Sequence, residues 1–417
     1  MSSRLLRFHA SRGVIGAVAV ALALAACGGG DVGGTGAAGG TVKIGLPHPL
    51  TGVWAEGGQN ALNGALLAID DVNAAGGIKS LKGAKLSGVP ADTSSDDPGQ
   101  AASVTRRLVQ QDGVSALIGA YVSALSLTAS TEAEKAGVPM LTQAYTDELT
   151  KRGYHFLFQL PPPSSAIGAQ TVPYVQDAFA TANIPLQRVA VVSSNDAALK
   201  AQAEGTASVA QSKGLEVVST EFYPIDITDA SVMSQQVIGT RPDIVFLGGP
   251  TAASILVVQT LRSLGYTGPV VGLGGGGILD KGFGDALGDN VNGVLSMAAW
   301  NWDMPFDGMV DVNKRYMDRF DQPFMPQEAG ESYVAVWDLA QSMEDAGSSE
   351  PKDIATALQM LSMTTGPGSF MPGQKVSFSE SGLNPDTFPM LIQWQDGVPK
   401  GVWPMDVQAV PPIAASQ

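Results

Sequence analysis

Short apolar runs alternate along this chain with longer segments whose apolar positions recur every three or four residues, the pattern of strands separated by amphipathic helices. Thr41 to Leu46 (TVKIGL) reads as the first strand, and Pro47 to Gly58 as the loop leaving its carboxyl end. Leu62, Leu66, Ile69 and Val72 then share one helical face, and Ala74-Ala75-Gly76-Gly77 predicts the stop. Leu86 to Val89 reads as a strand, and Asp96-Asp97-Pro98 as a helix entry with an acidic cap and proline in the first turn. The helix carrying Arg106, Arg107, Leu108 and Val109 leads to the stretch around which the chain is organised, Val114 to Thr146. There Ala116–Leu117–Ile118 breaks at Gly119, a Ser/Ala-rich turn follows, a helix-like segment reaches Ala136, and Val138-Pro139-Met140-Leu141 begins another strand. This is a βαβ unit.

The pattern restarts after Pro161-Pro162-Pro163, a semi-rigid crossover. Strand runs recur at Val189–Val192, Glu216–Phe222, Asp243–Leu247, Val270–Val271 and Val291–Ser296, with helix-length segments between them. Alternation of this kind predicts an α/β fold with parallel sheets covered on both faces. Met297 to Asp303 reads as a return crossover, followed by helices over Phe306 to Phe320, Gln327 to Ala346 and Asp353 to Leu361. The end differs in kind: Leu391-Ile392-Gln393-Trp394 turns at Asp396-Gly397 toward Val402-Trp403, a terminal hairpin. Two lobes are therefore expected, the first from 41–160 plus 297–368 and the second from 161–296 plus 369–417.

In an open parallel sheet a ligand sits beyond the carboxyl ends of the strands, facing loop amides and helix N-termini. Two loops of the central βαβ unit qualify. Ala120 to Ser123 would present the Ser123 hydroxyl and unpaired amides at a positive helix end. Gln143 to Asp147 would present the carbonyl of Ala144 and the hydroxyl of Thr146. The same residues also suit ordinary polar loops with caps, and local sequence does not separate the two readings.

The chain begins with Arg4, Arg7 and Arg12, then an apolar run from Val14 to Ala26, then Cys27, the layout of an export signal. Thirteen apolar residues fall short of the roughly 18 that span a bilayer. Leu24-Ala25-Ala26-Cys27 resembles the bacterial lipobox, which implies cleavage of residues 1–26 and lipidation of Cys27. The Gly-rich stretch 27–40 then reads as a flexible tether to the membrane. Loss of three arginines takes the formal charge from −15 to −18, a poor surface for nucleic acid or anionic lipid headgroups. With a single cysteine no intrachain disulfide can form, so core burial has to stabilise the fold.

Enzymatic readings find little support. The processed chain keeps only His48 and His155, and it has no G-x-S-x-G. His48 is expected in a solvated loop near the cleft and His155 beside a strand in a structural role. Gly272-Leu273-Gly274-Gly275-Gly276-Gly277 fits G-x-G-x-x-G only as any glycine run does, and reads as a cleft loop rather than a cofactor site. The acidic residues at Asp96-Asp97 lack the spacing of a calcium loop. No catalytic residue, cofactor or metal is expected.

These pieces together resemble a family, the bacterial periplasmic leucine/isoleucine/valine-binding proteins, which are substrate-binding components of ABC transporters. The matching segments are KIGLPHPLTGVWAEGGQNALNGALLAIDDVNAAGGI, DDPGQAASVTRRLVQQDGVSALIG, AGVPMLTQAYTDELTKRGYHFLFQL and RPDIVFLGGPTAASILVVQTLRSLGY, with the QDG turn near the end. The resemblance covers nearly all of residues 41–405. It implies two Rossmann-like lobes joined by a three-strand hinge and a solute held between them. It also implies an extracytoplasmic location and a membrane permease and ATPase as partners.

By this resemblance Ser123 would hold a solute carboxylate, Ala144 and Thr146 would face an ammonium, and Trp54 would form an aromatic wall. Tyr121, Tyr145, Gly249 and Gly274 complete the candidate ligand-binding set. The second lobe departs from the family, because Ala198 stands near the place of a tyrosine and Gly274 near that of an acid. A buried ammonium without an anionic or carbonyl partner is costly. The departure therefore favours a small carboxylate with an apolar body, or an amide, with Trp300 or Trp302 at the cleft rim. A solute-sensing receptor of the same fold is the alternative function, with an exported enzyme behind it.

Overall fold

The computed structural model describes residues 39–182, 185–274 and 277–413. The export segment, Cys27 and the tether up to residue 38 lie outside the described residues, as do Gly275 and Gly276. The first part of the chain runs β1 (Thr41–His48), α1 (Ala55–Ala74), β2 (Lys85–Asp92), α2 (Pro98–Arg107), β3 (Ala116–Ile118), α3 (Ser123–Ala136), β4 (Met140–Thr142) and β5 (Leu157–Gln159). These strands form one parallel sheet in the order β2-β1-β3-β4-β5. Its order reverses between β1 and β3, so the loops leaving those two strands open a crevice at the sheet's carboxyl edge.

The second part runs α4 (Ser164–Ala182), β6 (Arg188–Ser194), α5 (Ala197–Ser212), β7 (Glu216–Tyr223), α6 (Ser231–Gly239), β8 (Ile244–Gly248), α7 (Thr251–Ser263), β9 (Val270–Gly272), α8 (Lys281–Leu287) and β10 (Leu295–Ala298). Helices α9 (Met309–Phe320), α10 (Gln327–Ala346) and α11 (Pro351–Gln359) follow, then the short pair β11 (Ser362–Met363) and β12 (Val376–Ser377), and finally β13 (Met390–Gln395) and β14 (Val398–Trp403). The second sheet has the order β14-β13-β10-β9-β8-β6-β7, parallel except for β13 and β14. Its order reverses between β6 and β8. The chain passes between the two sheets three times, at 160–163, 299–308 and 378–389.

Both sheets are buried on both faces, which is why their strands read as continuous apolar runs. In the second sheet Val189, Val191, Ile244, Phe246 and Val271 enter one core cluster, while Ala190, Val192, Val245, Leu247 and Val270 enter another. In the first, Ile44, Leu46, Ile118 and Phe158 pack on one side, and Leu117, Met140 and Leu157 on the other. Helix α1 packs along α10, with Gly64 against the backbone of Ala329.

Local signals explain most element ends. Asp97 caps α2 by accepting from Gln100 N, with Pro98 in the first turn. The β13–β14 turn places Asp396 at φ 53° and Gly397 at φ 76°, the left-handed pair that a tight two-residue hairpin requires. One predicted strand starts later than its apolar run: Gly288–Val291 forms a 3-10 turn and Gly293 sits at φ 85°, so extended pairing begins only at Leu295. Met297 and Ala298, read as the start of the return crossover, remain in β10 and pair with Leu391 and Met390. Among the described residues no helix is long and apolar enough to cross a membrane.

Candidate functional site

The carboxyl edges of the two sheets face each other across a small cavity lined by Trp54, Tyr121, Val122, Ser123 and Tyr145 on the first-sheet side and by Asp196, Ala198, Leu199 and Gly274 on the second. Every one of these residues follows the end of a strand. The cavity measures about 20 Å³, the space of about one water molecule.

Trp54 stands immediately before α1, held by its backbone N–H, which donates to Ser95 Oγ (3.0 Å); that hydroxyl donates onward to Thr51 O (2.6 Å). Its indole packs edge-on against Tyr121, ring centroids 6.3 Å apart at 90°. Trp54 Nε1 is buried and has no hydrogen-bond partner among the described residues. Gly57, one turn into α1, makes room for Tyr121: a Cβ there would lie 2.5 Å from the tyrosine oxygen.

Ser123 opens α3, which carries no side-chain cap, so the positive end of that helix meets the cavity wall at a serine. Ser123 Oγ accepts from Thr146 N at 3.3 Å, which ties the two candidate loops together. Between them, Ser126 Oγ and Thr142 Oγ1 lie 3.1 Å apart, and Thr142 Oγ1 accepts from Ala144 N.

Tyr145 is the hinge of a deeper polar layer. Its hydroxyl donates to Glu331 Oε1 at 3.1 Å, from a position buried beneath the cavity. Burial raises the Glu331 pKa well above the usual carboxylate range, and the neighbouring Glu328 adds to it. Glu328 is pushed up to about 7, chiefly by burial. The Tyr121 and Tyr145 hydroxyls are raised by burial first and by these carboxylates second. Among the described residues no lysine, arginine or histidine lines the cavity.

On the opposite wall, Asp196 caps α5: Oδ1 accepts from Ala198 N and Leu199 N at 3.2 and 3.1 Å, and Oδ2 accepts from Ser194 Oγ. Burial raises its pKa. An acid thus stands on the second-lobe wall although position 274 is glycine, and matching residue for residue without gaps does not reveal it. The signal available in the sequence is its place directly after the Val189–Val192 strand run, ahead of a helix.

The structure brings together Trp54, Tyr121, Ser123, Tyr145 and Gly274. Thr146 lies one contact behind, through Ser123. Ala144 is fully buried and its carbonyl accepts from Gln159 Nε2 at 2.9 Å. Gly249 is not on the cavity wall; its carbonyl accepts from Gly277 N and Ser254 Oγ. His48 is not in a solvated loop but ends β1 fully buried, with neither ring nitrogen partnered and a pKa lowered by burial to about 3. Trp300 and Trp302 are absent from the cavity: Trp300 is buried against Gly330, and Trp302 carries Lys400 Nζ over its ring at 4.1 Å.

The periplasmic binding protein family matches residues 41–393. Among curated relatives, Leu/Ile/Val-binding protein homolog 8 of Brucella melitensis biotype 1 is 27% identical over 371 residues, covering 87% of this chain and 90% of its own. Leu/Ile/Val-binding protein homolog 7 of Brucella suis biovar 1 is 24% identical over 389 residues, covering 90% and 94%. Among solved structures, the substrate-binding protein LivJ of a branched-chain amino acid transporter from Streptococcus pneumoniae, in complex with isoleucine, superposes with a TM-score of 0.77 at 24% identity, covering 87% of this chain and 100% of that one. An ABC transporter substrate-binding protein from Desulfitobacterium hafniense, in complex with Leu, gives 0.68 at 21% identity, with coverage of 87% and 100%. These two likenesses are of fold.

Proposed function

The chain belongs to the periplasmic binding protein family, and on that premise we propose that it is the solute-binding lipoprotein of an ABC uptake transporter, capturing a small amino acid between its lobes by hinge closure. One observation carries the reading: the cavity has opposite poles, with the uncapped N-terminus of α3 and Ser123 on one wall and Asp196 on the other. A zwitterion with an apolar body fits that arrangement, its carboxylate at the helix end, its ammonium toward the acid, and its side chain among Trp54, Tyr121, Val122 and Leu199. Asp196 supplies the second-lobe acid that Gly274 lacks, which removes the reason to favour a des-amino carboxylate or an amide.

The relatives support the same solute class, since two of the neighbouring folds hold isoleucine and leucine. A cavity of about 20 Å³ is smaller than an amino acid, so solute binding requires the two lobes to move relative to each other. The three crossings at 160–163, 299–308 and 378–389 are where that bending takes place. Cys27 would carry the lipid anchor on the outer face of the membrane, and the closed form would be what the permease and its ATPase read.

A thermal-shift panel tests the solute class. Ligand at 100 times its Kd adds about 2.7 kcal/mol to stability, a readily visible shift. L-Leucine or L-isoleucine is expected to raise Tm while 4-methylpentanoate does not; stabilisation by the des-amino acid alone would overturn the zwitterion reading.

A further inference from the structure

Away from the cavity, a second set of polar contacts joins the lobes. Glu56 and Asn60 lie one turn apart on α1, which packs on the first sheet, and both reach across to the start of α8 in the second lobe. Glu56 Oε1 accepts from Gly282 N at 2.8 Å. Asn60 Nδ2 donates to Asp280 Oδ1 at 3.3 Å, and Asp280 Oδ2 accepts from Thr251 Oγ1 at 2.6 Å. Gly282 is needed for this approach, because a Cβ there would lie 2.6 Å from Glu56 Oε2. None of the four residues lines the cavity.

The seam brings three carboxylates together, Glu56, Asp280 and Glu328, with Lys281 beside Glu56. Asp280 and Glu328 are each only 4% exposed, and Glu328 Oε2 has no partner among the described residues. The titratable groups facing Asp280 are Glu56 from α1, Glu328 from α10, Tyr121 from the β3–α3 loop and Tyr316 from α9. On α8 itself Lys281 pairs with Asp285 and also lies in the field of Glu56. Asp280 itself is buried and accepts only from the neutral Asn60 and Thr251 among the described residues, and a proton from solvent is the charge compensation open to it.

We propose that Glu56 and Asn60 of α1, with Asp280 and Gly282 at the start of α8, form an interlobe latch that closes by taking up a proton, so that acidification favours the shut protein. The inference rests on the hinge-closure reading above and adds a regulator to it. With the lobes apart, Asp280 loses its cover from α1 and is hydrated and ionised near neutrality. Shutting the lobes brings it against Asn60 and into the field of Glu56 and Glu328, and one proton from solvent settles on it. Burial first, and then the neighbouring Glu328 and Glu56, raise Asp280 in the shut form. The sign follows: a carboxyl with a higher pKa when shut binds more protons in that state, so shutting is favoured at low pH and loses ground as pH rises.

The test uses nitroxide labels at two exposed positions, Gln59→Cys on α1 and Ala286→Cys on α8, with the interlobe distance measured by double electron–electron resonance at pH 5.5 and pH 8 without solute. The short-distance population is expected to grow on acidification. Asp280→Asn keeps hydrogen-bonding capacity without the charge and is expected to stay short at both pH values. Solute affinity, probed with L-leucine, is expected to be on the order of tenfold tighter at pH 5.5 than at pH 8, and equal at the two in Asp280→Asn. Wild-type distances that do not respond to pH, or an Asp280→Asn protein that keeps the wild-type response, would overturn the latch. Lobes that shut on acidification in a protein that takes up no amino acid would uphold the latch and overturn the solute reading.

Discussion

The Tyr145 hydroxyl donates to Glu331 Oε1 over 3.1 Å, although the two residues stand 186 positions apart in the chain. This bond joins the cavity wall to α10, and Glu331 Oε2 has no other partner among the described residues. Tyr145→Phe removes the one side-chain donor to that carboxyl among the described residues, and it should destabilise the protein by about 1–3 kcal/mol. Urea unfolding of the two proteins checks this; an unchanged midpoint would mean that the bond contributes nothing net.

Stability should fall as pH rises above the acid range. Glu328 is pushed up to about 7 by burial, and Glu331 and Asp280 are raised by burial as well. In the unfolded chain these carboxyls titrate near 4, so between about pH 4 and 7 they bind more protons in the native state and each added pH unit costs stability, outweighing the opposite contribution of the single buried His48, lowered to about 3. Calorimetric Tm values are expected to decline from pH 5 to pH 8, with a shallower decline in Glu328→Gln. A Tm that climbs over that range would contradict the assignment.

The contact between α1 and α10 depends on one glycine. A Cβ on Gly64 would lie 2.0 Å from Ala329 O, a backbone atom that cannot swing away. Gly64→Ala should therefore cost roughly 1–3 kcal/mol through overpacking, even though alanine is the better helix former by about 1 kcal/mol. Denaturant midpoints report the balance, and a stabilised variant would show that the helices separate freely.

Much of the fold is legible in the sequence because its signals are local. The strand runs of the central βαβ unit, the Asp97-Pro98 entry and the Asp396-Gly397 turn each state their own geometry in adjacent residues, and the long helix at Gln327–Ala346 has the predicted bounds. The site is only partly legible. Trp54, Ser123 and Gly274 fall on the cavity because loops at strand ends converge there. Asp196 is not legible from the place of Gly274, because the fold supplies the acid from the end of β6, two strands across the sheet from β9.

What local pattern cannot show is burial decided by distant elements. Gln327, Glu328, Glu331, Ser332, Asp338 and Ser342 are polar residues of α10, and all are buried, because α10 packs against both α1 and α11. Trp300 looks like a rim aromatic and instead fills the space that Gly330 leaves. His48 looks like a loop residue and instead completes β1. Each miss concerns a partner far away in sequence.

On the first-lobe wall, Trp54→Ala should weaken solute binding by removing an aromatic face, and Ser123→Ala should weaken it by removing a hydroxyl at the α3 end. A loss of about 1–3 kcal/mol is expected for the tryptophan and about 0.5–1.5 kcal/mol for the serine. Ser123 Oγ also accepts from Thr146 N, so unfolding midpoints of each variant measured without solute separate lost binding from lost folding.

The central claim is that a small amino acid is held between these two walls. Isothermal titration of L-leucine and L-isoleucine into the wild-type protein and into Asp196→Asn measures it most directly, because that substitution removes the second-lobe charge and leaves the first-lobe wall intact. The account predicts saturable binding at one site per chain, weakened at least tenfold in Asp196→Asn. Absence of binding by either amino acid, or equal affinity in the two proteins, would contradict it.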